Sequence, residues 1–409
     1  IDDLSSFSAT NLTLDTLQAT GVVDLNVAVA TQIDNSRSLA LQGSTGSLQA
    51  TAAGAIEDSD VLTVVSDSTF TANSLDLGTL RATGTVNLAV VNDANLVNNQ
   101  NLVLAGTTGA LNATAAGFQI KGSDPLTIGG DSSFDARILE FTDLRASGDI
   151  VVDIADDVTL TNDQSLSLGG DVGGDLTAVA TVGEISDNDV LDVGGNASFT
   201  ASSDITLTED NNFDSLDLSG DDIVIVESDA MVLGIVNADS VDLRASGSIT
   251  QNGTSTILVN NLARLNATIN NDIVLDGGNN QLGSLDLTGR TMTINDASAS
   301  QVDRVLGTTL TLTSTGNITD GDAAVIQVTD VRLITDADIS LGKEANDTIR
   351  FASINLQANS ADIEVVDPTQ FSGSSFVNSL TLSSAGDITQ SVTSTIAVTG
   401  TTSLNAGTN

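Results

Sequence analysis

The chain has 409 residues and a formal net charge of −42, because 54 acidic residues stand against only 12 Lys and Arg. This charge repels nucleic acid and anionic membrane surfaces, so neither is expected as a partner. Cys, His, Trp and Tyr are absent, which excludes disulfides, thiolate chemistry and histidine-based catalysis.

The first recurring segment along the chain is Leu17-Gln-Ala-Thr-Gly21. It returns as Leu80-Arg-Ala-Thr-Gly84 and Leu144-Arg-Ala-Ser-Gly148, at separations of 63 and 64 residues, and in weaker form as Leu243-Arg-Ala-Ser-Gly247. A second marker, an isoleucine that opens a polar turn, continues to the far end: Ile56, Ile120, Ile185, Ile249, Ile318 and Ile388. A fixed period decides an architecture, and this one spans the whole chain.

The spacing of apolar residues within a repeat predicts the coil of a solenoid. Leu80, Leu102 and Leu126 are 22 and 24 residues apart, and Leu144 follows 18 residues later. These distances predict three coils of about 21 residues in each repeat of about 64, or about nineteen coils in all. Alternation of apolar residues, as in the segment 86–90, is typical of strands with one buried face. A β-propeller needs a period of about 40 to 50 residues and a sandwich about 100, so neither fits.

We therefore predict an all-β protein, a parallel β-solenoid that runs without interruption through residues 1–409. Its predicted repeat units lie approximately at 17–79, 80–143, 144–210, 211–280, 281–350 and 351–409. The chain begins and ends inside repeats, which predicts a segment of a longer protein. No 18-residue apolar run occurs, so no direct membrane insertion is expected.

Paired carboxylates are the only candidates for catalysis in this sequence. Such pairs are abundant, for example at Asp156-Asp157, at Asp187 with Asp189, and at Asp221-Asp222. Glycan hydrolysis requires two carboxylates in a cleft, where aromatic side chains usually hold the sugar rings. Because the chain has 10 Phe and no Trp or Tyr, we interpret these pairs as solvated corners and predict no catalytic residues and no enzyme.

Calcium is the one cofactor that the pattern admits. Asp187-Asn-Asp189 and Asp320-Gly-Asp322 place carboxylates at alternate positions of turns, and such oxygens suit calcium. Neither segment completes an EF-hand loop, and the glycine-rich nonapeptide of calcium-binding β-rolls is absent. We therefore assign no metal ligand and no cofactor, and keep calcium as a hypothesis.

Two other sets of side chains recur at fixed repeat positions. Arg81, Arg145 and Arg244 are expected to pair with acidic neighbours on the outer face. The aromatic residues that are 64 and 65 apart are expected to fill the interior; they are Phe70, Phe134 and Phe199.

Three phrases resemble the repeats of filamentous haemagglutinin-like proteins, which are large repetitive bacterial adhesins. The phrases are Leu144-Arg-Ala-Ser-Gly-Asp-Ile150, Leu243-Arg-Ala-Ser-Gly-Ser-Ile-Thr-Gln251 and Leu382-Ser-Ser-Ala-Gly-Asp-Ile-Thr-Gln390. The resemblance implies a right-handed parallel β-helix that is secreted to the cell surface, where it forms an extracellular structural or adhesive shaft. It also implies partners, namely other segments of the same fibre and surface glycans of a host or the environment.

Two other hypotheses stay open. The chain could be a subunit that stacks end to end into a filament or surface sheath, in which case electron microscopy would show polymers. It could instead be a glycan-active β-helix enzyme, which requires a cleft that brings several acids and a basic residue together.

Overall fold

The computed structural model describes residues 3–253 and 255–407, and strands joined by turns and bends make up that part of the chain. Its internal contacts divide it into two compact units, Ile1–Asp204 and Ile205–Asn409. The strands of the first unit are β1 Ser5–Leu17, β2 Val22–Asn35, β3 Leu39–Thr45, β4 Ser47–Ala52, β5 Ala55–Val64, β6 Ser68–Ala72, β7 Ser74–Ala82, β8 Thr85–Val90, β9 Ala94–Asn98, β10 Leu102–Thr108, β11 Leu111–Ile128, β12 Ser132–Ala146, β13 Asp149–Ile154, β14 Val158–Asn162, β15 Leu166–Val172, β16 Leu176–Ala180 and β17 Ile185–Ala201.

The strands of the second unit are β18 Ile205–Ser219, β19 Asp222–Glu227, β20 Met231–Ala238, β21 Ser240–Ala245, β22 Ile249–Gln251, β23 Ile257–Asn266, β24 Ile273–Leu275, β25 Gln281–Thr288, β26 Thr291–Asp296, β27 Ser300–Leu306, β28 Thr309–Ser314, β29 Ile318–Ile334, β30 Asp338–Leu341, β31 Thr348–Val365, β32 Thr369–Phe371, β33 Ser374–Ser384, β34 Ile388–Gln390, β35 Thr395–Val398 and β36 Thr402–Ala406.

The fold is an all-β parallel solenoid, as the sequence predicts. Strands inside the solenoid pair in parallel with the strands one coil earlier and one coil later, as β6 does with β4 and β8. The solenoid has about 21 turns with a spacing of about 19 residues. The predicted coil of about 21 residues is therefore too long.

In the first unit, each coil crosses two columns of stacked strands. Column 1 contains β3, β5, β7 and β9, which pair in that order. Column 2 contains β4, β6, β8 and β10. Longer strands such as β11 pass through both columns, because they run round a corner without losing their strand pairing.

One repeat contains an odd number of column crossings, and each crossing is half a coil. Asn35 and Asn98 occupy the same repeat position, and the seven strands from β3 to β9 lie between the end of β2 and the end of β9. Asn35 therefore lies in column 2 and Asn98 in column 1. The repeat is three and a half coils rather than the predicted three, and successive repeats in this unit alternate between the columns.

The core lies between the two columns and is built by alternation along each strand. Strand β8 buries Val86, Leu88 and Val90, and each such side chain contributes about 1.5–3 kcal/mol by leaving water. The rings of Phe134 in column 1 and Phe141 in column 2 lie 5.3 Å apart across this core. The predicted interior fillers are confirmed, since they are fully buried; they are Phe70, Phe134 and Phe199.

A glycine recurs where some strands bend. Gly43, Gly106 and Gly170 have φ values of 93°, 99° and 106°, a region that disfavours other residues. A Cβ on Gly106 would lie 2.1 Å from the carbonyl oxygen of Leu88 in the previous coil. The bend therefore requires glycine for its backbone angle and for the close approach of the neighbouring coil.

A buried asparagine closes one corner in each of the first three repeats. Asn162 accepts a hydrogen bond from the amide of Ala146 at 2.8 Å and donates to the carbonyl of the same residue at 2.9 Å. Its amide group also donates to the carbonyl of Ser165 at 2.8 Å. Asn35 and Asn98 make the equivalent bonds in their repeats. Because a buried polar group must be hydrogen-bonded, this side chain fixes the path of the corner.

The second unit repeats the parallel stacking with longer corners. One column of its strands runs through β19, β21, β23, β25, β27, β29 and β31. The segment 342–347 between β30 and β31 lies outside the strands. This corner positions the side chains described next.

Candidate cation site

Three carboxylates meet in the second unit, on two adjacent coils. Asp320 lies near the start of β29, and Glu344 and Asp347 lie in the corner that follows β30. Their carboxylate oxygens lie within 4.8 Å of one another. Asp320 and Asp347 are half-buried, whereas Glu344 is exposed.

Backbone amides hold two of these carboxylates in place. The amide of Gly342 donates to Oδ2 of Asp320 at 2.6 Å. The amides of Ala324 and Glu344 donate to the two oxygens of Asp347 at 3.0 and 2.8 Å. The corner therefore presents the acids in a fixed geometry instead of separating them.

The proximity of like charges changes the acidity of the site. The pKa of Asp320 is raised to about 6, first by burial and then by the nearby carboxylates of Asp347 and Glu344, while the hydrogen bond from Gly342 opposes the rise. The pKa of Glu344 is also raised, first by its hydrogen bond with Asp347. A divalent cation would relieve this repulsion, and carboxylate oxygens at this spacing suit a hard ion such as calcium.

The sequence identified only one of these three acids. Asp320-Gly-Asp322 was a calcium hypothesis, but the structure groups Asp320 with residues 24 and 27 positions further along. Strand periodicity does not give the length of a corner, so it does not predict that Glu344 and Asp347 lie beside Asp320. The available signal was the pair of acids, Glu344 and Asp347, in a polar corner of a lengthened repeat.

Three of the other candidate acids have local partners. Asp156 forms an ion pair with Arg137 at 2.9 Å, and Asp157 accepts a hydrogen bond from the amide of Asp175 at 3.0 Å. Asp189 accepts from the next amide, that of Val190, at 2.8 Å. These contacts stabilise corners and turns.

The recurring arginines follow their predicted role in two cases. Arg145 pairs with Asp163 at 3.1 Å, and Arg244 pairs with Asp242 at 2.7 Å. No ion pair joins Arg81 to an acid within residues 3–253 and 255–407. The residue of its repeat that corresponds to Asp163 is Asn99, which carries no charge.

Four consecutive segments of the chain match the family described as repeats of unknown function (DUF5649). They are residues 155–217, 220–288, 289–355 and 354–409, which together make up more than half of the chain. The chain belongs to this family. No curated protein matches it, and no solved structure does.

The acid cluster belongs to one DUF5649 repeat, since Asp320, Glu344 and Asp347 all lie within residues 289–355. In the repeats before and after it, the position of Asp320 is occupied by Gln251 and Gln390. Gln251 uses its side chain to bind the buried amide of Asn280 at 2.7 and 2.8 Å. The two neighbouring copies therefore lack an acid at this position, although Asp58 and Asp187 occupy it in earlier repeats.

Within residues 3–253 and 255–407, no helix has the length and apolar character needed to cross a membrane.

Proposed function

We propose that this chain is part of the shaft of an extracellular bacterial surface fibre, which spans distance outside the cell without catalysing a reaction. The observation that carries the proposal is the unbroken strand pairing within each unit, where parallel coils stack on a continuous apolar core. A solenoid of this kind resists bending because each coil is hydrogen-bonded to the coils on both sides.

The chemistry of the surface supports an exterior location. A net charge of −42 imposes self-repulsion that salt and divalent cations screen, and such ions are plentiful outside cells. The absence of cysteine is compatible with export. Three of the candidate acids, Asp156, Asp157 and Asp189, bind backbone amides or an arginine.

Cell fractionation followed by mass spectrometry of the native source tests this proposal. We expect peptides of this chain in the surface and secreted fractions. Recovery of an intact protein of this length from the cytoplasm would contradict it. Electron microscopy of the dilute purified chain then separates a covalent shaft, which gives rods of fixed length, from a subunit that polymerises end to end.

A further inference from the structure

A groove on the second unit runs along the stacking direction across four coils. It has a volume of about 660 Å³. Leu262, Ser284, Gln301 and Thr319 occupy its successive coils, and each is the strand partner of the next. The three steps between these four coils extend over about 14 Å, at about 4.8 Å each.

The lining of this groove is neutral and rich in hydrogen-bonding groups. None of its ten lining residues is charged, although the chain carries 54 acids. Asn260, Asn261 and Asn317 add amides to the hydroxyl groups of Ser284 and Thr319. The groove therefore offers donors and acceptors without a charge that would select an ion.

Contacts with neighbouring residues orient several of these amides. Nδ2 of Asn260 donates to Asp239 at 2.8 Å, and Nε2 of Gln301 donates to Asp303 at 2.8 Å. Oδ1 of Asn317 accepts from the amide of Asp338 at 3.3 Å. The opposite atom of each amide, Oδ1, Oε1 or Nδ2, stays available to a ligand.

We propose that this groove binds a neutral linear polysaccharide that lies along the stacked coils. Hydroxyl-rich sugars match its amide and hydroxyl lining, and successive pyranose rings recur at about the spacing of the coils, so each coil can contact one ring. An anionic polymer finds no basic side chain in the groove and is repelled by the acidic chain. A peptide would need an open strand edge or apolar pockets, and the apolar side chains here are limited to Leu262 and Ala299.

A second groove on the first unit supplies a matched control. It lies along β9, β11, β12 and β13, with Asn95, Asn112 and Ser133 in register, but it also contains Asp93 and Asp131. The two grooves share the stacking geometry and differ in charge. Ser284→Gln and Ser133→Gln therefore place the same added bulk in a neutral and an acidic groove.

Calorimetric titration of the whole chain with defined hexasaccharides tests the proposal. The probes are β-1,4-linked glucose, β-1,4-linked mannose and α-1,4-linked glucose, with hexagalacturonate as the anionic counterpart. We expect at least one neutral probe to bind with a dissociation constant of about 1 mM, since no aromatic ring stacks on the sugar. Ser284→Gln should weaken that binding about tenfold, and Ser133→Gln should leave it unchanged.

Asn317→Asp provides a second variant that preserves the shape of the groove and its bond from Asp338. It should weaken binding as well, because a carboxylate replaces an amide donor, and circular dichroism should show both variants folded. Binding of none of the neutral probes, equal binding by Ser284→Gln, or preference for hexagalacturonate would each overturn the proposal. This proposal is independent of the proposed function as a surface shaft. Cell fractionation tests the location of the chain, whereas the titration tests only whether the groove binds a sugar.

Discussion

One buried corner position changes its chemistry along the chain. Asparagine occupies it in three repeats, whereas Glu227 and Asp296 occupy it in the next two, and all are buried. Asp296 accepts hydrogen bonds from the amide and hydroxyl of Ser298 at 2.9 and 2.7 Å and from the hydroxyl of Ser300 at 2.8 Å. The corner thus replaces an amide that donates to carbonyls with a carboxylate that accepts from serines.

Asn162→Asp tests this division of roles. The introduced carboxylate would face the carbonyls of Ala146 and Ser165, to which the native amide donates, so it would leave them without their donor. We expect the free energy of unfolding to fall by about 2–4 kcal/mol, measured by urea denaturation. The exposed control Asn112→Asp should change it by less than about 0.5 kcal/mol. Equal stability of the two variants would show that the corner does not depend on this amide.

Asp320→Asn tests the electrostatics of the acid cluster. Because the pKa of Asp320 is raised to about 6 from 3.8, its folded form holds the proton more tightly than its unfolded form. The stability that protonated Asp320 contributes is therefore fully present at low pH and is lost as the pH rises through about 6. We expect the variant to match the native chain near pH 4 and to exceed its free energy of unfolding by about 1 kcal/mol at pH 7, after allowance for solvent screening.

Asp338→Asn should change the free energy of unfolding with pH in the opposite direction. Hydrogen bonds from Ser360 and Asn359 lower the pKa of Asp338, so its contribution to stability is present at neutral pH and is lost in acid. Thermal melts of both variants between pH 3 and 8 compare the two directions. A pH-independent difference between Asp320→Asn and the native chain would contradict the burial of that charge.

Strand pairs place charges in register, and the signs differ between elements. On β21, β23, β25 and β27, charges alternate from coil to coil through Asp242, Arg264, Asp286 and Arg304. Asp286 binds Arg264 at 2.9 Å and Arg304 at 3.2 Å, and its side chain is only 11% exposed. Opposite charges directly across neighbouring strands stabilise their pairing, so the ladder favours the native register.

Asp286→Asn should therefore destabilise the second unit more than an exposed ion pair would suggest. We expect a loss of about 1–2 kcal/mol, because two arginines lose one poorly exposed partner. Asp156→Asn in the first unit removes a partner that is 47% exposed and should cost less than about 0.5 kcal/mol. Urea denaturation at constant salt concentration measures the free energy of unfolding of both variants. Equal losses would contradict the greater contribution of Asp286.

In the first unit, aspartates occupy one position on successive strands of column 1. Asp135, Asp153, Asp171 and Asp192 are strand partners on successive coils. Like charges opposite one another destabilise a sheet, and salt screens them. Asp153→Asn should raise the melting temperature at low ionic strength, with the gain disappearing in about 1 M salt. A gain that persists at high salt would indicate an effect other than charge.

Strand positions were predictable from the sequence, whereas coil length was not. Val86, Leu88 and Val90 alternate visibly, because burial of one face imposes a period of two. The prediction of three coils treated Leu80 and Leu102 as equivalent, but Leu80 lies in column 1 and Leu102 in column 2. Both positions are apolar in either column, so hydrophobicity alone could not separate a half-coil from a coil.

At the scale of the whole molecule, the repeat of three and a half coils predicts which deletions the solenoid tolerates. Removal of residues 85–148 joins Gly84 to Asp149, which occupies the same repeat position as Thr85. The next strand then meets its usual type of neighbour, although it belonged to the other column. We expect a folded chain whose melting temperature changes by only about 2 °C, because repeat stability depends on nearest neighbours.

A deletion of three coils provides the contrast. Removal of residues 85–137 keeps the following strand in its own column but places Ile138 where a repeat should begin. Both deletions remove Asn98, which closes the corner beside Ala82, but the longer one brings Asn162 to that position whereas the shorter one brings Val151. Circular dichroism and thermal melts should show it to be the less stable of the two. The reverse order would contradict the half-coil arrangement.

The odd number of strand passes has a consequence for how the repeats meet other surfaces. In the first unit, Arg81 lies in column 1 and Arg145 in column 2, so the same sequence position points to opposite sides in consecutive repeats. A side chain that recurs at this position in the repeats of the first unit is therefore presented on both faces of that unit. Two ligands bound through it in consecutive repeats would lie on opposite sides of the core.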